Sequence, residues 1–249
     1  MPMNLTHNRK PIPILVYHQI AEAPPKGSAF RSLYVAPKAF ARQMKWLKLL
    51  GYTGLSMSGL GPYLAGEREG KVVGITFDDG YQNNVVHALP ILNAAGFSST
   101  CYAVSGLLGQ TNVWDKHLGI AQAPLMTGAD VHEWVARGQE IGSHTHQHID
   151  LINTDDATCR ADMALGKSAL EAIVGKPVEH FCFPYGRYEV KHAVMAAEAG
   201  FVTATTTQRS RCHGQTNILQ LPRVPVLRST TLPVFWLKIA TAYEDRRRK

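Results

Sequence analysis

Three times in this chain a helix-like stretch ends in glycine, an aromatic residue follows, and a strand-like run begins. The joints are Gly51-Tyr52, Gly96-Phe97 and Gly200-Phe201. Glycine suits the left-handed residue that closes a helix, because it lacks the Cβ that penalises positive φ. A chain built on this joint alternates helix and strand, and that order constrains the fold more than any other feature. Strands connected through helices are parallel, and a parallel sheet has to be covered by helices.

Periodicity fills in the elements. Residues 12–18 are short, apolar, β-branched and flanked by prolines, which predicts a buried strand. Residues 37–50 carry Pro37 at a first-turn position and Phe40, Met44, Leu47 and Leu50 at helical spacing. Further strands are predicted over 71–77 and 98–104, with shorter ones over 139–144, 179–183, 202–206 and 218–224. Helices are predicted over 82–95, 128–137, 154–174, 188–199 and 230–243. This pattern fits a doubly wound sheet or a closed barrel. Residues 105–127 form a long irregular insertion, and loops of that length are often functional. No linker or break in composition interrupts the chain, so one domain is expected over 1–249. Its 249 residues, 45% of them hydrophobic, suffice for one substantial core.

Composition narrows the function classes. The net charge of +7 favours anionic partners, yet no nucleic-acid-binding motif is present. Cys101, Cys159, Cys182 and Cys212 form no CxxC pair and are expected to be buried free thiols. The first twenty residues lack the long apolar core of a secretory signal, and no apolar run reaches membrane-spanning length. A cytoplasmic protein is the expectation. Near the C-terminus Phe235, Trp236, Leu237 and Ile239 precede a basic cluster at 246–249. They read as a final covering helix with a solvated tail; the alternative is peripheral contact with an anionic membrane.

The chemistry gathers at predicted strand ends. Asp78 and Asp79 directly follow the strand over 71–77. Adjacent carboxylates raise each other's cost of ionisation. A metal would relieve that cost for one and leave the other free as a base. Asp-Gly is also good turn chemistry. After the strand over 139–144 comes His144-Thr145-His146-Gln147-His148. A helical turn there would put His144 and His148 on one side and point His146 away. Two imidazoles and a carboxylate make an open three-ligand metal site. Pro184-Tyr185-Gly186 closes another strand and His18 ends the first. Each alone is weak. In parallel α/β folds, however, ligand sites assemble at this C-terminal edge, and every one of these signals lies there.

Thr76-Phe77-Asp78-Asp79-Gly80 and His144 to His148 resemble the first two motifs of the polysaccharide deacetylase family (carbohydrate esterase family four), and the resemblance covers roughly 12–228. Phe181 to Gly186 looks like a variant of its third motif. The resemblance implies a distorted (β/α) barrel with fewer than eight complete units and about seven strands. It implies one divalent metal ion, usually zinc, held by Asp79, His144 and His148. Asp78 would be the general base, and the Tyr185 backbone N–H would help hold the oxyanion. Two departures stand out. Cys182 occupies the place of the arginine that normally orients the base, and Arg223 is the candidate to supply that charge. The late Leu-x-His motif is absent, and His18 at the N-terminal strand is the candidate general acid. This order resembles the circularly permuted deacetylases of poly-N-acetylglucosamine synthesis.

The expected reaction is removal of N-acetyl groups from acetamido sugars of a polysaccharide, oligosaccharide or lipid-linked precursor. O-acetyl esterase activity, cyclic-amide hydrolysis and a non-catalytic glycan-binding module are the alternatives.

Overall fold

The computed structural model describes residues 10–247. Residues 1–9, on which part of the leader reading rests, and residues 248–249 of the basic tail lie outside the described residues.

The chain opens with β1 (Ile14–Tyr17), followed by the short pair β2 (Gln19–Ile20) and β3 (Tyr34–Val35). There follow α1 (Pro37–Leu49), β4 (Thr53–Leu55), α2 (Met57–Ala65) and β5 (Val72–Phe77). Next come α3 (Leu89–Ala95), β6 (Thr100–Ala103), α4 (Gly128–Ala136) and β7 (Glu140–Ser143). The last third holds α5 (Asp156–Val174), β8 (His180–Cys182), α6 (Val190–Glu198), β9 (Thr203–Arg209), β10 (Leu221–Pro225) and α7 (Leu232–Ala240). The three glycine joints have φ of 75°, 71° and 83°, the left-handed conformation that ends a helix.

Seven strands close into an all-parallel ring in chain order, β1-β5-β6-β7-β8-β9-β10. The ring is completed where the first strand meets the last, with Leu15 opposite Val224 and Val16 opposite Pro225. Of the two architectures open to the alternating pattern, the chain forms the closed barrel. β4 stands outside the ring. It pairs with the start of β5, and its Gly54 carbonyl accepts from Ser98 N at 3.1 Å beside the base of β6.

β4 and α2 were not anticipated, for physical reasons. At the centre of β4 a Cβ on Gly54 would lie 2.5 Å from Ile75 and 2.7 Å from Phe97. Close packing therefore demands glycine where a strand pattern would show an apolar side chain. α2 contains two glycines and an internal Pro62, which read locally as helix breakers. Its start is secured instead by the Ser56 side chain, which accepts from Gly59 N.

The core lies between the barrel wall and the helices. Tyr17, Phe40, Phe77 and Trp134 form an aromatic cluster with centroid separations of 5.1–5.8 Å. α1 contributes Phe40, Met44 and Leu47 to the interior, together with Gln43, which accepts from the Tyr17 hydroxyl at 3.0 Å. All four cysteines are buried free thiols. Phe235 and Ile239 of α7 are buried in the same core, so those two are withdrawn from any membrane surface; Trp236 is half-exposed. Among the described residues no helix is long and apolar enough to cross a membrane.

At the N-terminal face of the barrel Glu140 accepts from Ser58 N at 3.2 Å and from the hydroxyls of Ser58 and Thr100. It also lies 3.5 Å from His180 Nε2. Burial acts to raise its pKa, but His180 and the hydroxyl donors hold it at about 2. Its stabilisation is therefore complete above the ordinary value of 4.5 and is lost as pH falls toward about 2. Glu140→Gln should cost about 3 kcal/mol at neutral pH and flatten the acid limb of unfolding free energy against pH. An acid limb unchanged by the substitution would contradict this assignment.

Candidate active site

The strand ends bring the sequence candidates together at one mouth of the barrel. Asp78 and Asp79 follow β5, and Asp78 N donates to Tyr17 O of β1 at 3.0 Å. His144 follows β7 and its N–H donates to Ala103 O of β6 at 3.0 Å. His18 follows β1, Tyr185 follows β8, and Arg223 lies inside β10. Among the described residues five non-glycine residues have positive φ, and four of them belong here: Asp79 at 72°, Thr145 at 65°, His148 at 55° and Tyr185 at 59°. Such backbone costs energy and persists only where the surroundings impose it.

The 144–148 segment corrects one expectation. It is not a helical turn. His144 and His148 converge because left-handed residues at Thr145 and His148 fold the chain back on itself. His146 stays outside the cluster, its Nδ1 2.8 Å from Ser105 Oγ. Asp162 on α5 accepts from His146 N at 2.7 Å and so pins this fold-back. α5 comes close at Gly166, where a Cβ would lie 2.9 Å from the Thr145 carbonyl carbon.

The two neighbouring carboxylates are held differently. Asp78 receives a bidentate pair from Arg223, Nη1 to Oδ1 at 2.6 Å and Nη2 to Oδ2 at 2.7 Å. Burial raises the Asp78 pKa, but the Arg223 guanidinium outweighs it and holds the carboxyl below its usual range. Arg223 is itself fully buried and also donates to Thr206 O at 2.8 Å, Thr76 Oγ1 at 3.2 Å and Cys182 Sγ at 3.1 Å. The guanidinium beside Asp78 thus comes from β10, with the Cys182 sulfur at its side. His18 Nε2 stands 4.0 Å from Asp78 Oδ2.

Asp79 turns to the histidines. Its Oδ1 lies 3.4 Å from His144 Nε2 and 3.5 Å from His148 Nε2. Burial raises its pKa, and the two histidines overcome that and hold it well below the ordinary value. These separations suit a shared ion, because ligands at roughly 2.0–2.2 Å around a tetrahedral zinc stand roughly 3.3–3.6 Å apart. His144 Nδ1 lies 2.8 Å from Cys182 O, which fixes that nitrogen as the N–H donor and leaves Nε2 as the electron-pair donor. Asp78, His144 and Cys182 form a second close group. Asp78 and Cys182 of that group are already engaged by Arg223, and a cation there would face the guanidinium. The donor set of Asp79, His144 and His148 fits a metal; the other does not.

Several residues of the site had no signal of their own in the sequence. Asn84 Nδ2 donates to His18 O at 2.8 Å and its Oδ1 accepts from Ile20 N at 3.2 Å, fixing the segment that carries His18. It lies in a π-helical turn (Asn84–Ala88) that precedes α3. Such turns recur at functional sites, and nothing in periodicity distinguishes one from α-helix. Asp162 sits on a helix far along the chain, and its partner is a backbone N–H that no pattern predicts. Asp115, in the 105–127 insertion, faces the Tyr185 hydroxyl.

A family model described as polysaccharide deacetylase matches residues 65–204, more than half of the chain, and the chain belongs to that family. As a member it is a deacetylase of glycans, a hydrolase of acetyl groups on sugars. YxkH of Bacillus subtilis strain 168, provisionally named a polysaccharide deacetylase, is 29% identical over 217 residues, which are 86% of this chain and 71% of YxkH. The deacetylase PplD of Streptococcus pyogenes, solved in complex with acetate, is 25% identical with a TM-score of 0.81, over 93% of this chain and 99% of PplD. BC0361, a polysaccharide deacetylase from Bacillus cereus, is 26% identical with a TM-score of 0.78, over 92% of this chain and 69% of BC0361. IcaB from Ammonifex degensii shares the fold, with a TM-score of 0.75 at 23% identity, over 95% of this chain and 99% of IcaB.

Removing the guanidinium leaves a buried carboxylate without its counter-charge. Arg223→Met should therefore lower the unfolding free energy by about 3–5 kcal/mol in denaturant titration, and adding Asp78→Asn should restore part of the loss. A single-variant loss below about 1 kcal/mol would contradict a buried, mutually dependent pair.

Proposed function

We propose that this chain is a metal-dependent deacetylase that removes N-acetyl groups from acetamido sugars of a polysaccharide, oligosaccharide or lipid-linked precursor, with residues 1–249 as a single catalytic domain whose core spans about 12–228. The observation that carries the reading is the convergence of Asp79, His144 and His148 beside an Asp78 that Arg223 keeps ionised. Asp79, His144 and His148 hold one divalent ion, with zinc the first candidate. When bound there, the ion supplies Lewis acidity toward the acetyl carbonyl and the attacking water.

The residues of the chain divide the remaining work. Asp78 takes the proton of the attacking water, a role that needs a charged carboxylate. Arg223 fixes both its oxygens and so orients it. The Tyr185 backbone N–H donates to the oxygen on which negative charge develops; one such donor is typically worth about 3 kcal/mol in the transition state. His18, whose Nε2 stands 4.0 Å from Asp78 Oδ2, delivers a proton to the departing nitrogen. That step matters most for an amide, whose amine leaves poorly unless protonated. PplD, 25% identical, was solved with acetate, the product such a reaction releases. An O-acetyl ester would use the same residues, so the choice of bond is a matter for substrates.

Acetate release decides it. Oligomers of N-acetylglucosamine should be turned over faster than acetylated xylan; the reverse order would make the chain an O-acetyl esterase. Chelation should abolish turnover and zinc should restore it. Asp78→Asn should keep the metal yet lose about 10²–10⁴-fold in kcat, the span of general base catalysis, and retained turnover would remove Asp78 from that role. His18→Ala should slow amide hydrolysis much more than hydrolysis of an activated acetate ester. Equal losses on both substrates would contradict the acid role.

A further inference from the structure

We infer that Trp114 is a positioning residue for His148, fixing by aromatic stacking the orientation of a ring whose Nδ1 has no hydrogen-bonding partner among the described residues; this rests on the metal reading proposed above. A histidine that ligates a metal ordinarily donates its other ring N–H to a carbonyl, carboxylate or water, and that partner sets the ring plane. His144 follows the rule through Cys182 O. His148 does not. Its Nδ1 is buried and meets no hydrogen-bonding group of the protein among the described residues. The ring is held by neighbouring rings instead. Trp114 lies face to face with it at 4.3 Å and 16°, and Tyr185 meets it edge-on at 4.6 Å and 81°.

The insertion that carries Trp114 is built to deliver it. Asn112 is fully buried, and its Oδ1 accepts from Ala123 N at 2.7 Å across the loop. Met126 N donates to Gly80 O at 2.8 Å and Gln82 N to Pro124 O at 3.0 Å, which ties the loop to the turn bearing Asp79. Trp114 packs on a small apolar cluster of Tyr81, Val104, Leu107 and Leu125. The indole thus packs on that cluster and stacks on His148. A loop fastened at Gly80 and Gln82, directly after the Asp-Asp pair, couples the carboxylate ligand and the second histidine to one indole.

Zinc affinity by chelator competition tests this, with wild type, Trp114→Ala and Trp114→Phe compared and the denaturant midpoint of each metal-free protein measured alongside. Trp114→Ala should bind zinc about 10–100-fold more weakly, while Trp114→Phe, which keeps a stacking face, should stay within about threefold of wild type. The visible spectrum of the cobalt-loaded protein should change in Trp114→Ala and not in Trp114→Phe. Wild-type affinity in Trp114→Ala overturns the inference. So does a loss of zinc affinity matched by a loss of metal-free stability in both variants, which makes Trp114 a packing residue of the strap alone. A wild-type protein that binds no zinc overturns the metal reading itself, and the control identifies that case.

Discussion

The bidentate pair between Arg223 and Asp78 is the interaction on which barrel and site both depend. From the last strand of the ring the guanidinium reaches the end of β5 at Asp78 and its interior at Thr76. It reaches β9 through Thr206 O and β8 through the Cys182 sulfur. One buried side chain therefore cross-links four of the seven strands near their C-terminal ends, close to where the first strand closes the ring against the last. The same contact solves the electrostatic problem of two adjacent acids. With Asp78 neutralised by Arg223, Asp79 can face the histidines without sharing its neighbour's charge.

Around that pair the site is assembled by strained turns and by long-range props. Each of the three turns carrying a candidate metal-site or oxyanion group contains a non-glycine residue in left-handed backbone. Each turn is also restrained from outside. The Asp79 turn is tied to the strap by Met126 and Gln82, the histidine segment by Asp162, and the Tyr185 turn sits against His148. Rigid strands supply the position and the turns supply the aim.

Much of this was legible in the sequence because the fold announces itself through local signals. Three helix-closing glycines and apolar runs marked the alternation, and Asp78, Asp79, His144 and His148 stood out as polar residues clustered where strands end. Whether the sheet stayed open or closed was not legible from periodicity, since closure is a contact between residues 15 and 224. The family resemblance carried that choice. β4 was invisible because Gly54 answers close packing rather than strand preference, and α2 because Gly59, Gly61 and Pro62 read locally as helix breakers. The helical explanation for His144 and His148 was mistaken even though the pair converges; positive φ at Thr145 and His148 cannot be read from residue types that usually avoid it. Asn84, Asp162 and Trp114 were missed for one reason. Each acts on a partner whose identity is fixed only by the folded backbone.

The most direct measurement is zinc-edge X-ray absorption on protein loaded with one equivalent of zinc. The account predicts two imidazole shells and oxygen at roughly 2.0–2.2 Å, with one imidazole lost in His148→Ala. A sulfur neighbour at roughly 2.3 Å would place the ion on Cys182, among the donors that Arg223 now occupies, and would contradict the division of labour between Asp78 and Asp79.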